Sequence, residues 1–223
     1  STYQTIFTDV KRRNMIGILI ADDHAIVRKG LRHLLLEEYP SAMIEEVTDA
    51  ESLVLKSIAT EWDVVICDLS MPGRSGLDAL IQIKQASPKL PVLIMSMHPE
   101  EQYALRTFRA GASGYLNKES IHKDLINAVQ TVMIGKKFIT PSIAEKLANA
   151  LNNDSNKMLH ERLSDREFEV FRLLAEGKQV SEIADKLSLS VTTVSTYRSR
   201  LMEKLNMKSN SDLTRYALEN GII

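Results

Sequence analysis

The stretch VVICDLSMPGRSG, Val64 to Gly76, sets four consecutive apolar residues directly against an aspartate, with Pro72, Gly73 and Gly76 close behind. A short unbroken apolar run reads as a strand covered on both faces, and the proline and glycines read as the turn that ends it. Asp68 therefore stands at the C-terminal edge of a buried strand. In open α/β sheets that edge faces the ligand crevice, so the carboxylate is placed for chemistry if its neighbours supply the rest.

Outward from this strand, short apolar runs alternate with amphipathic stretches. GILIA (Gly17 to Ala21), AMIEEV (Ala42 to Val47), VVIC (Val64 to Cys67), PVLIMS (Pro91 to Ser96) and GYL (Gly114 to Leu116) are the strand candidates. Helical patterns lie between and after them at Ile26 to Glu38, Ala50 to Ala59, Leu77 to Gln85, Glu100 to Arg109 and Ile121 to Met133. Val27, Leu31, Leu34 and Leu35 show the helical period in the first. Five strands alternating with five helices imply a doubly wound parallel sheet, because parallel neighbours need crossover connections.

The strands stop after Gly135. Thr140-Pro141 starts a helix that runs to about Leu151, and NNDSNK, Asn152 to Lys157, reads as an interdomain linker. Ser164-Asp165-Arg166-Glu167 is a capping box opening a helix to Glu176, with Gly177 as its stop. Val180 to Leu187 forms a short helix, Ser188-Leu189-Ser190 a turn, and Ser190 caps a longer helix with Val191, Val194, Leu201 and Leu205 as its inward stripe. A last helix spans about Asp212 to Asn220. The expected organisation is an extension at 1–14, an α/β domain at 15–135, a linker carrying one helix at 136–158 and a four-helix domain at 159–223. Met15 stands immediately before the first strand and reads as a native start, with 1–14 an upstream extension or a cloning scar.

Composition sets the bounds. The chain has 223 residues, 44% hydrophobic and 26% charged, which is enough for two small domains. No apolar run approaches the ~20 residues that cross a bilayer, so a cytoplasmic location without membrane contact is the expectation. The single cysteine, Cys67, lies inside an apolar run and suits a reducing compartment as a small buried side chain. A net charge of -1 gives no global sign of nucleic-acid binding, so that reading needs a local arrangement.

Asp22 and Asp23 follow GILIA and so stand at a strand edge of their own. If the strands order as 2-1-3-4-5, these two and Asp68 converge, and a hard divalent cation with oxygen ligands relieves their repulsion. Mg²⁺ fits because it keeps waters and takes one or two carboxylates, leaving room for a phosphoryl group. Taken alone, Asp22-Asp23 reads equally as a helix N-terminal cap. Ser96 at the end of the fourth strand offers a hydroxyl and Lys118, past the fifth, an ammonium. Together these groups compose a site for an aspartyl phosphate. His24 and His98 lie near it and read as solvated loop or helix-cap residues, with modulation of phosphoryl lifetime the lesser alternative.

The pattern DD…D-x-x-x-P…S…K, here Asp22-Asp23, Asp68 through Pro72, Ser96 and Lys118, resembles the receiver domain of two-component response regulators. The resemblance implies a flavodoxin-like sheet of order 2-1-3-4-5 and phosphorylation of Asp68 by a sensor histidine kinase. Mg²⁺ would be held by Asp23, Asp68 and the Ser70 backbone carbonyl, with Asp22 as an outer ligand. It further implies that Ser96 swings toward the phosphoryl group while Tyr115 changes rotamer; plain strand packing is the other reading of Tyr115. One departure is that Lys118 is followed by Glu119 where many receivers carry proline.

The short helix, turn and longer helix from Val180 to Leu205 have helix-turn-helix spacing. From Val191 to Lys208, Arg198, Arg200, Lys204 and Lys208 against Glu203 leave a local charge of +3, which suits phosphate contact, although a solvated face would look the same. The opening Leu163-Ser164 through Glu167, the Glu182-Ile183-Ala184 triplet and the pattern from Thr193 through Tyr197 to Lys204-Leu205 resemble the LuxR-type DNA-binding domain, and with the receiver they resemble the NarL/FixJ class. By that resemblance the helix from Val191 enters the major groove of promoter DNA. Its outward face offers Thr192 and Thr193 as well; Ser195, Thr196, Arg198 and Ser199 would contact the groove, while Arg200, Lys204, Lys208 and the cap region would grip phosphates. Leu213, Tyr216 and Ala217 of the last helix would form a homodimer contact, packing within the domain being the alternative, and RNA polymerase is a further partner.

The function so implied is a phosphorylation-switched transcription regulator, no enzyme beyond Mg-dependent self-phosphorylation and autodephosphorylation. Its main rival is a phosphorylation-independent DNA-binding regulator whose receiver serves as a protein-interaction domain; three clustered carboxylates argue against it. A metal-dependent phosphatase would need a second acid two residues past Asp68, where Ser70 stands.

Overall fold

The computed structural model describes residues 15–98, 100–152 and 158–223. The 1–14 extension and residues 153–157 of the expected linker lie outside the described residues. The chain divides into two compact units between Ala144 and Glu145. Among the described residues, no helix is long and apolar enough to cross a membrane.

The first unit runs β1 (Gly17–Ala21), α1 (Ala25–Glu38), β2 (Met43–Val47), α2 (Ala50–Ala59), β3 (Val64–Asp68), α3 (Gly76–Ala86), β4 (Val92–Ser96), α4 (Glu100–Arg109), β5 (Gly114–Asn117) and α5 (Ile121–Met133). Every pairing is parallel, in the order β2-β1-β3-β4-β5. The sequence reading of a doubly wound sheet and the order implied by resemblance both hold. Burial explains the apolar runs: every residue of β1, β3 and β4 is buried, whereas edge strand β2 buries only Ile44 and Val47 among its polar residues. One core joins the sheet to α1 and α5 through Ile18, Ile20, Leu31, Leu35, Ile66, Leu93, Leu125 and Val129.

Register brings the polar residues to one edge. Ala21 pairs with Cys67, Asp68 with Met95 and Ser96 with Asn117, so the chain leaves β1, β3, β4 and β5 at nearly the same height. The close approach beneath Asp68 explains Gly76: a Cβ there would lie 2.0 Å from the Asp68 carbonyl oxygen. Ser75 and Asp78 then close a capping box on α3, which fixes the loop carrying Ser70 and Pro72.

Helix α6 (Pro141–Asn152) begins at its proline, as the sequence indicates, and the boundary between the units falls within it. The second unit contains a 3₁₀ turn (Leu159–Arg162) that the sequence reading missed, then α7 (Asp165–Ala175), α8 (Val180–Leu187), α9 (Val191–Leu205) and α10 (Asn210–Glu219). The last helix starts two residues before the expected Asp212, because Ser209 caps it and Asp212 completes a capping box. Phe168 and Phe171 pack 6.0 Å apart between ring centres and share the core with Ile183, Leu187, Val194, Leu201, Leu205, Leu213 and Ala217. Ser188 turns the chain between α8 and α9 at φ 53°, and Ser190 accepts the Thr193 amide at 3.0 Å to cap α9.

Candidate functional site

At the C-terminal edge of the sheet one ammonium serves two buried carboxylates. Lys118 Nζ lies 2.6 Å from Asp22 Oδ2 and 2.8 Å from Asp68 Oδ2, and all three side chains are at most 8% exposed. Asp22 is held further by the His24 amide, which donates to Oδ1 at 2.7 Å. Asp68 Oδ1 accepts only the Ser70 amide, at a long 3.3 Å. Burial pushes the Asp68 carboxyl up to about 6, with Lys118 opposing the rise. Burial would lower the lysine, but Asp68 and Asp22 outweigh it and hold the ammonium above its usual range. The two directions agree once stoichiometry is counted, since the lysine gains from two anions and each anion receives only a share of one cation.

Asp23 is the carboxylate left over. Its Oδ1 is sealed from solvent with no hydrogen-bond partner. His24 Nδ1 lies 2.8 Å from that oxygen but without hydrogen-bond alignment, so proximity alone links them. Asp22, Asp23, His24 and Asp68 each place a donor atom within 4.8 Å of the others. An orphaned buried acceptor among carboxylates is what a divalent cation satisfies, so the residues present fit one.

The other expected residues converge on the same edge. Ser96 is 1% exposed and accepts the His98 amide through Oγ at 3.0 Å. Tyr115 is 1% exposed, and its hydroxyl donates to the His98 carbonyl at 2.9 Å, so both residues hold the loop after β4. The His98 ring stacks on Tyr103 at 5.1 Å, which replaces the solvated role expected for it. Where proline was absent after Lys118, Asn117 supplies the geometry, its Oδ1 accepting the Glu119 amide at 2.9 Å.

The second unit exposes Thr192, Ser195, Thr196, Ser199, Arg200, Lys204 and Lys208 along and just beyond α9, with Thr193 and Arg198 half-buried. Arg198 is not a loose cation: Nε and Nη2 both donate to Asn210 Oδ1, at 3.2 and 2.9 Å. Thr196 and Ser199 donate their hydroxyl protons back to the Thr192 and Ser195 carbonyls, leaving oxygen acceptors outward. Lys204 Nζ is engaged by Glu167 Oε2 at 2.6 Å, so it ties α9 to α7 before it can meet a phosphate.

Leu213, Tyr216 and Ala217, expected at a dimer contact or in packing within the domain, do pack within their own unit. Leu213 and Ala217 are fully buried, and the Tyr216 hydroxyl lies 3.0 Å from His160 Nδ1. That face of α10 is consumed by packing within its own unit, because these residues share the helical stripe that closes over α7. The outward face of α10 presents Leu218 instead, 62% exposed.

Comparison with known proteins matches residues 18–130 to the response regulator receiver domain and residues 161–217 to the bacterial regulatory proteins of the LuxR family. The chain belongs to the response regulators. This response regulator is 37% identical over 213 residues to the oxygen regulatory protein NreC of Staphylococcus carnosus (strain TM300), covering 92% of this chain and 98% of the relative. It also resembles RcsB of Salmonella enterica serovar Typhimurium bound to promoter rprA in the presence of phosphomimetic BeF3-, at 28% identity and TM-score 0.60, covering 91% and 98% of the chains. A structure of two RcsB dimers bound to two parallel DNAs is similar at 31% identity and TM-score 0.56, with the same coverage.

Two pairings in this response regulator, and the surroundings of His24, escaped the sequence reading. Glu167 and Lys204 stand 37 positions apart and Arg198 and Asn210 12 apart, so no local spacing announces either pair. His24 occupies the N-cap position of α1 but makes no side-chain cap bond, its imidazole lying against Asp22 and Asp23 instead.

Proposed function

We propose that Asp68 is the phosphoacceptor of a sensor histidine kinase and that its phosphorylation controls binding of promoter DNA by the second unit. The observation that carries this reading is the buried Asp22–Lys118–Asp68 arrangement at the edge of a sheet in a chain that also carries a helix-turn-helix. A carboxylate oxygen of Asp68 attacks the phosphorus of a phosphohistidine or a small acyl phosphate, the bond to the leaving group breaks, and Lys118 balances the added oxygen charge. Asp23, Asp68 and the Ser70 carbonyl would hold Mg²⁺, with Asp22 behind them, and the ion would offset charge on the transferred group. Ser96 and Tyr115, which both hold the loop after β4, are the switch pair, since a new acceptor at Asp68 would draw the Ser96 hydroxyl proton, which the bond from the His98 amide does not use.

Residues 15–135 act as receiver, 136–158 as linker and 159–223 as the DNA-binding domain. Ser195, Thr196, Arg198 and Ser199 contact the groove, while Arg200, Lys208 and the cap region with Thr192 and Thr193 meet phosphates. Lys204 contributes charge through a side chain already anchored on Glu167. An RcsB relative bound to promoter DNA with a phosphate mimic supports the coupling, and RcsB dimers on DNA support a homodimer in the active state. The setting is cytoplasmic, with RNA polymerase a further partner and self-phosphorylation and autodephosphorylation the only chemistry.

The test is to treat the protein with an acyl-phosphate donor and Mg²⁺, reduce the acyl phosphate with borohydride and map the product by mass spectrometry. Homoserine at position 68, absent from Asp68→Ala and from samples without Mg²⁺, is expected. Modification elsewhere, or none, would overturn the assignment.

A further inference from the structure

We infer that Val191 reads the C5 methyl group of a thymine in the major groove, so that an A·T pair is selected where the first turn of α9 meets DNA. The inference rests on the reading above that α9 enters the groove, and it adds which residue selects which base.

The sequence places Val191 with Val194, Leu201 and Leu205 on one inward stripe, and the structure separates them. Val194, Leu201 and Leu205 are at most 2% exposed, whereas Val191 is 53% exposed. Position explains the difference. Helical side chains lean over the turn before their own Cα, and Val191 is the first residue of α9, so it has no such turn to cover. The helix does not ask for valine there either, since β-branched residues are poor helix formers and a first turn favours acids. α7, α8 and α10 each carry an acid in the first turn, and α9 carries none. Its opening turn therefore holds no side-chain charge that would repel a phosphate backbone.

The neighbours of Val191 narrow the base it can read. Ser195 and Arg198, four and seven positions on, share its side of the helix and are the residues placed in the groove. Arg198 lies about 10 Å further along the axis and so serves a different base pair. At the cap the hydroxyls are turned on each other: Ser190 Oγ lies 2.7 Å from Thr193 Oγ1 and also accepts the Thr193 amide at 3.0 Å. Further along, Thr196 and Ser199 spend their hydroxyl protons on carbonyls of the helix. The first turn, Val191-Thr192-Thr193-Val194, has no guanidinium or ammonium to offer the O6 and N7 acceptors of guanine. What it does offer is an isopropyl group, and the apolar group that a base edge shows in the major groove is the thymine methyl. Removing one such methyl from water strengthens binding about fourfold, and only at the base pair that Val191 covers.

The experiment uses full-length protein treated with an acyl-phosphate donor and Mg²⁺. The probe is a duplex taken from the genomic fragment that this protein retains most strongly. A set of duplexes replaces each thymine of the protected site in turn by uracil, which lacks only the methyl group. Dissociation constants are compared for the wild type, Val191→Ser and Val191→Ile. We expect uracil at one position to weaken the wild type about fourfold, to leave Val191→Ser unaffected and to weaken Val191→Ile as it does the wild type. The ratio of affinities for thymine and uracil is a readout that a merely structural role of Val191 would not move. Equal sensitivity to uracil in the wild type and Val191→Ser, or a wild type with no sensitive position, would overturn the inference. A protein that retains no fragment under any condition would overturn the reading on which it rests as well. Val191 is exposed, so matched unfolding curves will show that Val191→Ser is folded.

Discussion

Glu167 Oε2 accepts two hydrogen bonds at once, from the Ser164 amide at 2.8 Å and from the Lys204 ammonium at 2.6 Å. The first closes the cap of α7 and the second fixes the far end of α9, so one buried carboxylate sets the position of the helix that would read DNA. Burial alone would raise its carboxyl, but Lys204 and Ser164 outweigh burial and hold it below the usual carboxylate range.

An acid-side signature follows from that depressed carboxyl. Its stabilising contribution is complete above the ordinary value of 4.5 and is lost as pH falls through the lower value of the folded state. Amide signals of α7 and α9, followed in urea between pH 3 and pH 7, should show a wild-type advantage over Glu167→Gln of about 1 kcal/mol at neutral pH, vanishing in acid. A constant difference across the range would remove the ion pair from the account.

Asp68 predicts the opposite slope for the first unit. Its folded value of about 6 lies above the ordinary 3.8, so the folded protein binds the proton more tightly. Stability is then greatest below about pH 4 and declines as pH rises to about 6, by about 3 kcal/mol for a rise of two pH units. Trp62, the single tryptophan, is buried in this unit and reports its unfolding. Asp68→Asn should abolish the decline and be the more stable protein at pH 7. Equal stability of the two at pH 7 would show that Lys118 compensates the ionised carboxylate fully.

The Arg198–Asn210 fork makes a prediction about recognition. If Asn210 aims the guanidinium, a double-mutant cycle on promoter binding should show coupling, with Arg198→Ala costing about 1–3 kcal/mol and Asn210→Ala adding little to it. Lys208→Ala should instead weaken all DNA sequences alike and lower the salt dependence by about one phosphate contact. Additive losses at Arg198 and Asn210 would mean that the pair acts separately on DNA.

The sheet and its acidic edge were legible because each depends on short-range pattern. Short apolar runs such as GILIA and VVIC announced strands buried on both faces, and the polar residue after each announced the edge. What chain distance separates stayed hidden, as in the Glu167–Lys204 strut. Leu213 and Ala217 mark the same limit from the other side: their helical spacing signals a buried stripe but not whether a second molecule or the domain's own core buries it.

The central claim is that the state of Asp68 controls the second unit's hold on DNA. Retention of genomic DNA fragments by full-length protein, with and without Mg²⁺ and an acyl-phosphate donor, tests it most directly, with Asp68→Ala as control. Donor-dependent enrichment of a few fragments, lost in Asp68→Ala, is the predicted result. Equal retention of the same fragments under every condition and by the variant would contradict the claim.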